Sequence, residues 1–439
     1  MKKLLFLLSI ILISCTSEIK KDSLLIEGAT LINPSSTSEI IENSYVYIEG
    51  KTIISYGILK EKPSNLIAKK TISAKGKYLM PGIIDGFATL NNQAYANAYL
   101  YKGITSIIEV DGYRRGPYFP DANPTPEIYR LEGVGEEPAT DEELISKIDS
   151  IYNADYRVLL MMYALTPNQT KMVYDYAKKK GMATIGEMGM TTYKEGMDIG
   201  IDAFVHTTRY SLDVVSRPMA NAVAHEPFSN DLESPKWNYY SYLTQLQIGD
   251  SLLKAHAKNL AASNSFIMPT MSLSYLDLPD AKNPWLDPVA KILDPKDINR
   301  PADKITGKHT IDSVEQAAYT NLITTEITVI EPTYYKAGAK YLSGSATDVW
   351  GTMPGISLHT ELMLLHTKAG LTNEEVLAAT TSNFNKAFGW KIGSIQPGFE
   401  ADLLILNKNP LDDLSNLNTI DKLFVDGVEI IHSDLLKKE

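Results

Sequence analysis

The side chains of this 439-residue chain that could do chemistry fall at a few points. Glu187, in Ile185-Gly186-Glu187-Met188-Gly189, is one. Desolvated, its carboxyl would titrate high enough for general acid–base work; beside a cation it would be a paired structural anion. The run His206-Thr207-Thr208-Arg209-Tyr210 gathers donors. Arg209 offers a bidentate fork for a carboxylate or phosphate with Tyr210 beside it, or else an ion pair with Glu187. Asp348 ends Gly344-Ser345-Ala346-Thr347-Asp348. Without a metal ion an aspartate, with a pKa near ~4, is a feeble base toward water at neutral pH.

Other candidates read as less chemical. His225 beside Glu226 lies in a loop, where an imidazole is solvated. Asp111 and the pair Arg114-Arg115 either line a cavity mouth or offset an acidic surface. His359 suits helix packing, while His256, His309, His366 and His432 read as surface residues. Neither a glycine-rich phosphate loop nor a Gly-x-Ser-x-Gly elbow occurs, which leaves nucleotide binding and serine hydrolysis without support.

The elements that must position these residues follow from apolar periodicity. Candidate strands at 82–86, 105–110, 127–132, 157–162, 183–187, 202–206, 265–270 and 340–346 alternate with helices, among them 144–152, 168–180, 242–263 and 314–337. Eight such units predict an α/β chain built as a (β/α)8 TIM barrel over residues 81–392. Thr372 and Glu375 form a capping box after Gly370, which ends the preceding helix. Both chain ends alternate as strands do: 24–32, 44–58 and 70–79, then 393–406 and 420–431. These predict a small composite β-sandwich made from 23–80 and 393–435. Loops 207–240 and 271–312 follow strands six and seven and fall on the face where barrels carry their sites, as lids, as decoration or as oligomer contacts.

Segments 79–85, 103–110, 200–206, 355–361, 369–381 and 393–406 together resemble the amidohydrolase superfamily, closest to its imidazolonepropionase-like and prolidase-like members. The resemblance spans the mature chain and implies a hydrolase of carbon–nitrogen bonds, in non-peptide or cyclic amides, taking a small amide-like substrate. Active members hold one or two divalent metals. Their ligands are a His pair on strand one, often a carboxylated lysine or glutamate on strand four, a His on each of strands five and six, and an Asp on strand eight. Here Pro81-Gly82-Ile83-Ile84-Asp85 is followed by Phe87 and Thr89 at the His-pair positions. Strand four has no lysine or glutamate, and Gly186 and Met188 stand where strand five carries imidazoles. His206 and Asp348 match the strand-six and strand-eight ligands. With Glu187 they would make a His/Glu/Asp set, so the one cofactor admitted is a single divalent ion such as zinc. Asp348 and Glu187 are then the catalytic candidates. The rival reading is a non-catalytic relative that binds a small molecule or a partner subunit, with Phe87 filling the metal position.

The N-terminus reads as a lipoprotein signal over 1–14: Lys2 and Lys3, an apolar run 4–13, and Leu12-Ile13-Ser14-Cys15. Cys15, the single cysteine, would carry the lipid and residues 16–22 would be a tether, placing the protein on a membrane of the cell envelope. Loss of 1–14 removes two lysines and turns the net charge of −11 into −13. Such acidity argues against nucleic-acid partners. Homo- or hetero-oligomers remain open.

Overall fold

The computed structural model describes residues 22–35, 37–111, 119–309 and 313–437. Cys15, the export signal, most of the tether and Arg114-Arg115 lie outside them. Among the described residues no helix is long and apolar enough to cross a membrane.

The N-terminal segment forms β1 (Ser23–Glu27), β2 (Thr30–Asn33), β3 (Glu39–Ile41), β4 (Ser44–Glu49), β5 (Thr52–Ile58), β6 (Lys70–Ser73) and β7 (Tyr78–Pro81). The single strand expected over 24–32 breaks at Gly28, whose φ of +87° suits a residue without Cβ. The barrel strands are β8 (Ile83–Ala88), β9 (Ile104–Val110), β10 (Glu127–Val134), β11 (Val158–Met161), β12 (Ala183–Gly186), β13 (Ala203–Val205), β14 (Phe266–Met268) and β15 (Lys340–Tyr341). The C-terminal segment adds β16 (Leu403–Leu406), β17 (Ile420–Val425) and β18 (Val428–Ile430).

β8 to β15 pair in parallel and in sequence order, as the eight-unit reading predicts. Closure comes from Gly86, whose N–H donates to the Ser343 carbonyl at 3.0 Å. A Cβ there would lie 2.6 Å from Met268 Cε and 2.7 Å from the Ser343 oxygen, so only glycine permits the approach. The last strand is shorter than 340–346, because beyond Tyr341 the chain bends through Ala346 at φ +52°. Two further sheets, ordered β5-β4-β1-β6 and β18-β17-β16-β7-β2-β3, share one apolar core of Ile26, Ile48, Leu31, Leu79, Leu403 and Phe424. The sandwich therefore draws on both chain ends.

Barrel helices begin on Thr caps. Thr140 with Glu143, Thr166 with Gln169, Thr192 with Glu195 and Thr372 with Glu375 all close capping boxes. The helix expected over 242–263 is two, Pro235–Leu243 and Ser251–Ala262, because Gly249 turns the chain and Asp250 caps the second. Nor are the two long segments irregular. The first holds helices Thr207–Tyr210 and Arg217–His225, the second a chain of 3₁₀ turns from Met271–Asp277 onward. The expected 314–337 helix runs as Ser313–Thr325, a π-turn Glu326–Ile330 and Glu331–Ala337.

Where the strand N-termini meet the sandwich, four carboxyls gather. Tyr129 Oη donates to Glu127 at 3.3 Å and to Glu400 at 3.5 Å, and Asp402 accepts from the Asp426 N–H at 2.8 Å. Lys51 pairs with Asp426. Burial, then the Glu400 carboxyl, pushes Glu127 up to about 8, and burial with Glu127 pushes Asp402 to about 7. Carboxyls raised on folding stabilise the fold while protonated. That contribution is complete below pH ~4.5 and lost as pH climbs through about 8. The melting temperature of the folded chain should therefore fall between pH 5 and 9, and Glu127→Gln should flatten that slope. An unchanged slope in the variant, measured by calorimetry, would show that the cluster does not govern it.

Candidate functional site

Strand phase decides what reaches the barrel interior. On β11, Val158 and Leu160 pack inward while Leu159 and Met161 pack against the helices. On β12, Ala183 and Ile185 point inward, and the same phase brings Glu187 to the mouth and turns Met188 outward. Glu187, not the Gly186 and Met188 positions, is therefore the inward residue of this strand. On β13 the inward residues are Ala203 and Val205, which would face His206 away. A positive φ of 65° at His206 breaks that phase and swings its ring into the mouth.

There His206 meets Glu187. Nε2 lies 3.1 Å from Glu187 Oε1, and Nδ1 is 2.7 Å from Thr270 Oγ1. The close contact with Glu187 is off-axis, since neither carboxylate oxygen has an aligned hydrogen-bond donor. Arg209 Nε stands 3.9 Å from Glu187 Oε2, while an Nη donates to the Pro227 carbonyl at 3.0 Å. Burial alone would raise the Glu187 carboxyl. The contact with His206 and the charges of His206 and Arg209 outweigh it and hold the group below the usual carboxylate range. This is the paired-anion alternative for Glu187, and a base so stabilised is a weak one.

Phe87 completes the wall, its ring edge-on to His206 at 5.1 Å between centroids. A register irregularity between Asp85 and Ala88 separates it from Thr89. Thr89 is buried elsewhere, with its carbonyl accepting from Tyr99 Oη at 2.8 Å. Asp85 accepts from the Ser345 N–H at 2.8 Å, and burial pushes it up to about 6 despite that bond.

Two expected site residues lie elsewhere. Asp348 is buried and accepts from Asn91 Nδ2 at 3.0 Å and from the Asn299 N–H at 2.8 Å, one oxygen turned to the segment after the first barrel strand and the other to the 3₁₀-rich segment. Among the described residues no group of three His, Cys, Asp or Glu side chains is placed to hold a metal ion. The Glu187–His206–Asp348 ligand set is thus not assembled, and Asp348 is not beside Glu187 as a catalytic partner. Tyr210 is fully buried rather than substrate-facing. Its hydroxyl donates to Glu331 at 2.7 Å, alongside Thr207 at 2.9 Å and Tyr341 at 2.9 Å. The histidines differ as well. His256 and the His309 side chain are buried, and His432 is half-buried, its Nε2 donating to the Tyr101 carbonyl at 2.8 Å. His225 is exposed, and His359 holds the Lys102 carbonyl at 2.8 Å as a packing residue would.

A cavity of about 220 Å³ opens at this mouth. That is below the ~300–1,000 Å³ usual for drug-sized ligands, so its occupant is small. Glu187, His206, Arg209, Phe87, Tyr240, Tyr319 and Trp350 line it, together with Lys236 and Glu326, which nothing in the sequence marked out. Lys236 is buried on the helix Pro235–Leu243, and desolvation, then Arg209, lowers it to about 8. Glu326 opens the π-turn. Burial, then the nearby Glu331 and Glu361, holds it well above the usual carboxylate range. A buried polar residue at a helix irregularity was the only available signal, and it needs the fold to be seen.

Residues 300–430 match the amidohydrolase family. No curated protein sequence matches significantly. Solved structures with the same fold include a bottromycin amidohydrolase (16% identity, TM-score 0.66, covering 95% of this chain and 88% of that one). The ochratoxinase of A. niger (14%, 0.59, 93% and 96%) and a molinate hydrolase (13%, 0.61, 95% and 96%) share it too.

Glu331 tests the reassignment of Tyr210. Removing the carboxylate takes the best acceptor from three buried hydroxyls, leaving Thr207 the Pro269 carbonyl at 3.4 Å and Tyr341 the Glu331 carbonyl at 3.3 Å, and a buried hydroxyl so deprived costs ~1–3 kcal/mol. Glu331→Ala should lose more than ~3 kcal/mol in urea unfolding. A loss within ~1 kcal/mol would show that Tyr210 is not held structurally.

Proposed function

We propose that this chain, a barrel of the amidohydrolase superfamily, binds a small amide-like molecule at its mouth and does so without the superfamily's metal centre. The observation that carries this reading is the commitment of His206. Both ring nitrogens are engaged, by Thr270 and Glu187, with Phe87 against the ring face. A catalytic zinc normally needs three protein ligands and an open position. Here the third candidate, Asp348, is bonded to Asn91 and Asn299. The donor set does not fit the ion. What remains is a recognition pocket in which Arg209 offers charge and the aromatic walls offer apolar contact.

The second reading, hydrolysis of a carbon–nitrogen bond, is supported by the family match over 300–430. Its one carboxylate at the mouth facing His206 is Glu187, whose pairing weakens it as a base. The run from Lys2 to Cys15 supports export and acylation at Cys15, and the net charge of −11 makes nucleic acid an unsuitable partner.

Elemental analysis separates the two readings. Purified protein should carry less than ~0.1 divalent ion per chain, and a chelator should leave its melting temperature unchanged, since stoichiometric binding would show in both. About one equivalent of zinc that disappears in His206→Ala would overturn the metal-free reading. Acylation predicts that detergent-extracted protein begins at Cys15 with a lipid mass, and that Cys15→Ala is released from membranes. An unmodified N-terminus at Met1 would contradict it.

A further inference from the structure

The cavity contains two ionisable side chains whose surroundings leave them incomplete. Lys236 is 6% exposed and lines the cavity, yet no carboxylate among the described residues lies within ion-pair distance and no hydrogen bond to its ammonium is made. It sits near the Trp237 and Tyr240 rings, at 5.5 and 5.8 Å from their centroids. Arg209, also at the cavity, adds a like charge, and Glu315 is the acid it senses. A cation so desolvated and unpaired is costly, and an anion beside it recovers that cost.

Glu326 is the complementary case. It too is 6% exposed and lines the cavity, and no described residue bonds its carboxyl. The acids near it are Glu331, which accepts three hydroxyls, and Glu361, which accepts the Ser272 N–H at 2.7 Å. Among the described residues no cation faces it, so ionisation would place an unscreened charge beside two other carboxyls. It therefore stands in the cavity as a neutral acid, a hydrogen-bond donor without an acceptor. Lys236 does not fill that role, because an ammonium only donates. Aromatic rings share the cavity wall with them, Tyr319 meeting Trp350 at 4.9 Å.

We propose that this cavity is built for a compact monocarboxylate with an apolar body and a second hydrogen-bond acceptor, Lys236 anchoring the carboxylate and Glu326 the acceptor. The inference rests on the reading of the mouth as a small-molecule pocket and names the chemistry of its occupant. Arg209 contributes to the field at the carboxylate, but it is already committed to Pro227 and Glu187. Size limits the ligand to roughly one ring and a short chain, given about 220 Å³.

Calorimetric titration of the full chain with 4-oxo-4-phenylbutanoate, its methyl ester and 4-phenylbutanoate tests each contact separately. The keto acid should bind about tenfold or more tighter than its ester and about fivefold or more tighter than the acid lacking the ketone. Lys236→Met should abolish the preference over the ester, and Lys236→Arg should keep it. Glu326→Leu should abolish the preference for the ketone, while Glu326→Gln, which still donates, should retain it. Circular dichroism confirms that each variant is folded, and the conservative pair decides if a more drastic one is not. Preferences that persist in Lys236→Met and Glu326→Leu would overturn the assignment. If none of the acids binds at millimolar concentration but N-methylbenzamide does, the pocket stands and this inference falls; if nothing binds, both fall.

Discussion

A buried carboxylate must be paired, and at this barrel mouth that requirement falls on Glu187. The phase of β12 sends it inward, where water cannot solvate it. His206 and Arg209 are the available partners, and each is brought to it by a departure from regular structure: the positive φ at His206, and the short helix Thr207–Tyr210 that begins there. Once His206 is spent on Glu187 and Thr270, neither ring nitrogen stands open to a ligand. Phe87 then occupies a position that is apolar on one side and faces the imidazole on the other. The shape of the mouth follows from neutralising one charge.

The same rule sorts the other acids of this −11 chain. Glu331 is satisfied by three hydroxyls and fixes Tyr210, Thr207 and Tyr341 in the wall behind the cavity. Glu361 caps the turn at Ser272, and Asp348 ties the end of the barrel to Asn91 and Asn299. Each of these acceptors meets a donor from another element, which is how a buried carboxyl can serve packing. Glu326 and Lys236 have no such donor or acceptor. Groups left incomplete inside a cavity are where a ligand has something to add.

Much of the fold was legible in the sequence because it is written in local periods. Strand alternation, the Thr-x-x-Glu box at 372–375 and the turn at Asp426-Gly427 depend on near neighbours, and the strands from 105–110 to 202–206 appear close to where periodicity puts them. The candidate site was legible only in part. Glu187, His206 and Arg209 converge as residues at adjacent strand ends should. Tyr210 and Asp348 do not, because where each points is set by partners far away in sequence, Glu331 in one case and Asn91 and Asn299 in the other. His256 shows the same limit: its helical pattern does not reveal that Tyr334 will pack against it at 5.7 Å. Lys236 was hidden for a similar reason, since a lysine among aromatic residues reads as surface until the segment folds back over the mouth.

The Pro81-Gly82-Ile83-Ile84-Asp85 signature has a role here that needs no metal. The Ile84 N–H donates to the Thr380 carbonyl at 2.8 Å, and the Ile84 carbonyl accepts from Thr380 Oγ1 at 3.1 Å and Ser343 Oγ at 3.2 Å. Asp85 receives the Ser345 N–H, and Gly86 lets the first strand approach the last. These contacts close the barrel at the point where a parallel sheet would otherwise leave two edges unpaired. The residues that announce the fold therefore clasp its ends together, and they do so whatever stands two positions later. Chemistry at the mouth is decided separately, by Phe87 and by the groups that pair with or ignore one another across the cavity. A closed barrel can carry a changed mouth because the clasp and the cavity draw on different side chains.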